Sequence, residues 1–247
     1  MARALVGTSG WTYASWRGAF YPQDLPSRRY LAFYAREFRT TEVNYSFYHL
    51  PRSQTFANWA AQVLPSFVFA VKASRFITHT KRLLEVEEPW RNLVENARAL
   101  ARHLGPILLQ FPASFPRDSA RLAQFLDMAQ GVAPGRPPLR LVFEFRHDSW
   151  FTAESYRLLE RYGACLCIAD SPAYPRRDIL TADFAYFRFH GRTQLFGSEY
   201  SEGELAEEAK KIKCYLRDGV DVYAYFNNDA WGYAVKNARS LKARLEG

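Results

Sequence analysis

RLVFEFRHDSW, residues 140–150, sets Leu141, Val142, Phe143 and Phe145 in close succession, yet places Glu144 and Arg146 among them. Such apolar density suits a strand of a parallel sheet, which is covered on both faces. A lone ion buried in such a run is costly. Strand side chains alternate faces. Leu141, Phe143 and Phe145 therefore form one face, and Val142, Glu144 and Arg146 the other. The large apolar groups belong under helices. The face ending in Glu144 and Arg146 is then expected to turn to the axis of a closed sheet, its ions late in the strand.

Seven other runs of strand length surround this one, at 4–10, 40–48, 67–74, 106–112, 164–170, 185–191 and 220–229. Stretches of helical period lie between them, at 26–38, 51–63, 89–104, 117–129, 152–163, 201–219 and 231–245. The first two open with proline, Pro26 and Pro51, which suits a first helical turn. Ser201 and Glu204 have the spacing of a capping box. Strands alternating with helices imply parallel pairing. Eight such units predict a single (β/α)8 TIM-type barrel over residues 1–247. An open doubly wound sheet is the second choice.

The same parity places polar residues on the axis in other strands. Arg188 and His190 lie opposite Phe187 and Phe189. Lys72 follows Val68 and Ala70; Gln110 follows Leu108; Asn227 follows Tyr223 and Tyr225. Asp170 is read as continuing the face of Leu166 and Ile168, and Glu42, Asn44 and Ser46 as sharing one face of an extended 40–48. Barrel active sites lie at the C-terminal ends of the strands. These groups are therefore expected to converge on one pocket, with Glu144 neutralised by Arg146, Lys72 or Arg188.

Composition narrows the setting. The net charge of +8 favours anionic partners, nucleic acid or phosphorylated small molecules, although the basic residues are scattered rather than blocked. Three cysteines without a CxxC spacing read as reduced structural thiols. There is no run of about 18 uncharged apolar residues and no secretion signal, so a cytoplasmic protein with no membrane partner is expected. Gly-rich phosphate loops of the GxGxxG and GxxxxGK[ST] kinds are absent from the sequence.

At GTSGW, TTEVNYSFY, FRHDSW, FRFHG and YFNND, in that order, the chain resembles the YecE-like family, domain of unknown function seventy-two. The resemblance runs from about Leu5 to Leu241 and includes VKASRFITH and LLQFP. It implies a TIM-type barrel and brings no established reaction. Carried over by motif, it implies a site of Trp11, Glu42, Asn44, Lys72, Arg75, His79, Gln110, Glu144, Arg146, Arg188, His190, Asn227 and Asn228.

On these residues Glu144 and His190 are the expected acid/base pair, with Asp170 as a third catalytic candidate. Lys72, Arg75, Arg146 and Arg188 are expected to bind a phosphate, carboxylate or nucleotide. Lys72 as a Schiff-base nucleophile is a minor alternative. Glu42, Glu144, Asp170 and His190 could together hold Mg²⁺ or Mn²⁺, so the cofactor stays open. The leading expectation is an enzyme, hydrolase or isomerase, acting on an anionic small molecule. A nuclease or nucleic-acid-binding protein and a non-catalytic ligand sensor are the alternatives.

Overall fold

The computed structural model describes residues 2–132 and 138–247. The expected unit, 1–247, includes residues 1 and 133–137, which lie outside the described ones. Nine strand segments are present among the described residues: β1 Ala4–Thr8, β2 Thr40–Val43, β3 Val68–Lys72, β4 Leu104–Gln110, β5 Leu141–Glu144, β6 Cys165–Leu166, β7 Ile168–Asp170, β8 Phe184–Phe189 and β9 Asp221–Phe226. They pair in parallel as two arcs, β2-β3-β4-β5-β6 and β1-β9-β8-β7.

The arcs meet at two seams. β6 and β7 are one strand interrupted at Cys167, whose N–H still donates to Phe143 O at 2.9 Å. At the other seam Ser9 bridges to Glu42, Gly10 N–H donates to Glu42 O at 2.7 Å, and Thr41 Oγ1 donates to Thr8 O at 3.0 Å. Gly7 makes this approach feasible, because a Cβ there would lie 2.2 Å from Thr40 O. The result is the ring of eight parallel strands expected of a TIM-type barrel.

Helices α1 Tyr30–Tyr34, α2 Tyr45–Tyr48, α3 Ser53–Ala60, α4 Glu87–Ala97, α5 Ser119–Gly131, α6 Ala153–Arg161, α7 Glu202–Arg217 and α8 Tyr233–Glu246 occupy the connections and the C-terminus. The Ser201–Glu204 capping box forms at the start of α7. Two layers of apolar packing follow from strand alternation. Phe69, Leu109, Phe143, Phe145, Phe187 and Phe189 pack on the helix side. Leu5, Val68, Ala70, Leu108, Val142, Tyr186, Tyr223 and Tyr225 fill the axis.

Two expectations need correction. The second strand ends at Val43, not at 48, because Asn44 turns helical and Tyr45–Tyr48 form α2. Ser46 Oγ then donates to Val43 O and Lys72 O, so it ties α2 to β3 and shares no strand face with Glu42. The helix expected at 89–104 ends at Ala97. A tighter 3₁₀ segment, Arg98–His103, follows and is interrupted at Ala101, whose φ is +51°.

Candidate active site

Five strands bring polar side chains from the axis face to the C-terminal end, and Arg188 on β8 lies at their centre. All three nitrogens of its guanidinium are engaged. Nε donates to Glu42 Oε2 at 2.9 Å, Nη2 to Glu42 Oε1 at 2.7 Å, and Nη1 to Glu144 Oε2 at 2.5 Å. Arg188, Glu42 and Glu144 are fully buried. Ser9 Oγ and Tyr186 OH donate to the remaining acceptor positions of Glu42, at 2.5 and 2.7 Å. Arg146 Nε donates to Glu144 Oε1 at 2.8 Å. A bidentate fork with charge-assisted bonds is the geometry that can offset the desolvation of such ions.

The charge states follow. Burial alone would raise both carboxyls, but Arg188 holds Glu42 below its ordinary value. Arg188 and Arg146 together hold Glu144 well below the usual carboxylate range. Both glutamates are ionised at neutral pH. His190, fully buried, is pushed by burial down to about 4 and is neutral. Asn227 Nδ2 lies 3.1 Å from its Nδ1, and its Nε2 is 3.5 Å from Glu144 Oε1. This arrangement suits a ring proton on Nε2.

Above this layer opens a cleft of about 1000 Å³, the size of a small-molecule site. Lys72, Gln110, Arg146 and Asn227 line its floor, and Trp11, Asn44, Arg75 and His79 its walls. The ring of Trp11 meets Trp59 edge-on at 5.2 Å, and Phe47, Tyr45 and Tyr48 extend this aromatic side. Lys72 Nζ sits 4.0 Å over the Phe47 ring. Among the described residues it has no ion pair, since Glu42 and Glu144 are bonded to arginine. Burial and the nearby Arg188 lower its ammonium to about 7, against the opposing pull of Glu42 and Glu144. His79 is lowered to about 4 by burial and by Lys72, Arg146 and Arg75. The one acidic residue among those lining the cleft, Asp229, is raised by burial to about 7.

The structure therefore divides the expected site residues. Trp11, Asn44, Lys72, Arg75, His79, Gln110, Arg146 and Asn227 line the cleft. Glu42, Glu144, Arg188 and His190 lie buried beneath it, so Arg188 is a counter-ion for two glutamates and not an arm of the pocket. Asn228 is buried and elsewhere engaged: its Nδ2 donates to Ser198 O and Asn237 Oδ1, each at 2.9 Å. Asp170 is the clear correction. On its strand Cys165, Cys167 and Ala169 face the axis, while Leu166 and Ile168 pack under helices. Asp170 shares the outward parity and accepts from Arg176 Nη1 at 2.9 Å and Tyr200 OH at 2.7 Å. Arg176 and Arg192 in turn bind the buried Glu208.

The expected metal set fails for the same reason. Asp170 is outside it and the glutamate oxygens are spent on arginine. Among the described residues no three His, Cys, Asp or Glu side chains group as a metal site.

Sequence reading missed Ser9, Tyr186 and Asp229. Ser9 continues the Leu5–Gly7 parity and Tyr186 shares the face of Arg188, so alternation alone could have found both. Asp229 lies beyond its strand, where parity no longer applies. Among the described residues no helix is long and apolar enough to cross a membrane.

Comparison with known proteins agrees with this architecture. The family model described as "Protein of unknown function DUF72" matches residues 5–247. A DUF72 family protein from Thermotoga maritima is 31% identical, with a TM-score of 0.81 over 99% of both chains. One from Enterococcus faecalis is 19% identical, with a TM-score of 0.84 over 99% of this chain and 96% of that one. At the level of fold alone, Aspergillus clavatus Sph3, solved in complex with GalNAc, has a TM-score of 0.52 at 11% identity, over 99% of this chain and 98% of that one. No curated protein matches the chain. With a family model covering nearly its whole length and whole-chain likeness to solved members, this TIM-type barrel belongs to the DUF72 family.

Proposed function

We propose that the chain is an enzyme that binds an anionic small molecule in the cleft at the C-terminal end of its barrel and acts on it by proton transfer. One observation carries this reading: the cleft displays Lys72 and Arg75 without carboxylate partners and Arg146 with its terminal amino groups unused, while the carboxylates below are already neutralised. Arg75 is exposed and makes no ion pair among the described residues. Arg146 uses Nε on Glu144 and stacks its guanidinium 4.2 Å from the Tyr174 ring centroid, which leaves its terminal amino groups for a ligand. Such a fork suits a carboxylate or phosphate. The aromatic side of Trp11, Trp59 and Phe47 supplies apolar area for the rest of the molecule.

Glu144 is a positioning residue in this reading. It fixes Arg146 through Nε and balances Arg188, and it has no surface in the cleft from which to exchange a proton. Calorimetric titration with inorganic phosphate, pyrophosphate and citrate at low ionic strength tests the anion site. Saturable binding of at least one, weakened at least tenfold by Arg146→Met and by Arg75→Ala, is expected. Absence of saturable binding, or binding indifferent to both substitutions, would remove the proposal.

A further inference from the structure

We propose that Lys72 is the proton-transfer group of this cleft, working as an uncharged amine that takes a proton from the bound anion and returns it. The inference rests on the reading of the cleft as an enzyme site and assigns its chemistry to one residue. Three features of the geometry select Lys72. It lies at the end of β3, on the floor, so a molecule seated against Arg146 comes within its reach. The residue is only 8% exposed, yet no carboxylate pairs with it. Its nitrogen stands over the Phe47 ring, whose face attracts the ammonium form but gives it no carboxylate to hold the proton.

The surroundings make both charge states accessible. Burial and the guanidinium of Arg188 disfavour the ammonium, whereas Glu42 and Glu144 below favour it. A base poised between the two is best matched to work near neutral pH. In the step itself the nitrogen lone pair takes a proton from an O–H, or from a C–H beside a carbonyl, of the ligand. The bonding pair stays on the ligand as an oxyanion or enolate, and Arg146 faces that charge. Return of the proton restores the free amine. Neither Glu144 nor His190 lines the cleft, and burial with the neighbouring cations lowers His79 to about 4, which makes it a weak base, so each is a poorer candidate to take the proton.

The test is lysine acetylation of the intact protein with acetic anhydride between pH 5.5 and 10, read by peptide mass spectrometry. The amine alone reacts, so Lys72 is expected to reach half its limiting rate near pH 7, while exposed Lys236 keeps rising to the alkaline end. Saturating pyrophosphate should slow Lys72 at least fivefold and leave Lys236 unchanged. A Lys72 profile that tracks the exposed lysines, or no reaction at Lys72 at any pH, would overturn the assignment. If the Lys72 profile holds but none of the anions binds, the anion site falls and the free amine stands. If anions bind but the profile fails, the amine falls alone.

Discussion

Two arginine-centred clusters sit at strand ends of this barrel, and they differ in what surrounds them. On the axis, Arg188 lies between Glu42 and Glu144 beneath a cleft lined by Lys72, Arg75 and Arg146. On the helix side, Arg176 and Arg192 bind Asp170, Asp178 and Glu208, and Arg176, Asp170 and Glu208 do not line the cleft. Both clusters are dense in charge and well hydrogen bonded. What separates them is the presence of unmatched cations next to open space. Paired charge is architecture; unpaired charge facing a cleft is the sign of a site.

The sharpest way to break the comparison is to remove each central arginine. Arg188→Met leaves the buried Glu42 without a cation and Glu144 with Arg146 alone, and should cost about 3–5 kcal/mol, measured by urea unfolding. Arg176→Met should cost less, roughly 1–3 kcal/mol, because Arg192 and Lys211 remain near Glu208. Anion binding should survive that second substitution.

Lys72→Met should move in the opposite direction. Because the folded protein lowers this ammonium to about 7, the folded state is penalised for carrying the charge as pH falls below the ordinary lysine value. An apolar side chain of similar length removes that penalty. Thermal unfolding at pH 6 should show a gain of roughly 1–3 kcal/mol, together with lost turnover once a substrate is found. Stability gained at the expense of activity is a common property of catalytic positions.

Acid should weaken the axial cluster. Glu42 and Glu144 have folded values below those of the unfolded chain, so their contribution is complete above the ordinary carboxylate value of 4.5 and is lost as pH falls through the lowered ones. Urea midpoints should therefore drop below about pH 4, and the drop should be shallower in Glu144→Gln. The smallest expected effect on stability is that of Arg75→Ala. This exposed side chain has no ion pair among the described residues, so stability should stay within about 0.5 kcal/mol while anion affinity falls.

The barrel and much of the site floor were legible in the sequence because alternation is a strict consequence of strand geometry. Glu144 beside Phe143 and Phe145, and Arg188 between Phe187 and Phe189, could face only the axis. The rule misled where it had no large side chain to anchor it. In ACLCIAD the larger side chains, Leu166 and Ile168, share the face of Asp170 and pack under helices, so reading that face as axial on the strength of Asp170 inverted it. It also lapsed where the strand stopped: Asn44 and Ser46 belong to a turn and a helix, and Asp229 to a loop. Depth was illegible too. Alternation shows that Arg188 and Lys72 share an interior, but not that the first is enclosed by two carboxylates while the second opens on the cleft. That distinction depends on which cation captures Glu42 and Glu144, a three-dimensional competition won by the bidentate guanidinium.

That competition can be measured directly. In protein carrying ¹³C at the lysine ε-carbons, the Lys72 resonance, assigned by its loss in Lys72→Met, can be followed from pH 5 to 11. Capture of both glutamates by Arg188 predicts a titration midpoint for Lys72 near 7, well below the ordinary lysine value of 10.5. A midpoint at or above 10 would mean that the carboxylates hold an ammonium at Lys72, and the division between paired scaffold and unpaired site would be wrong.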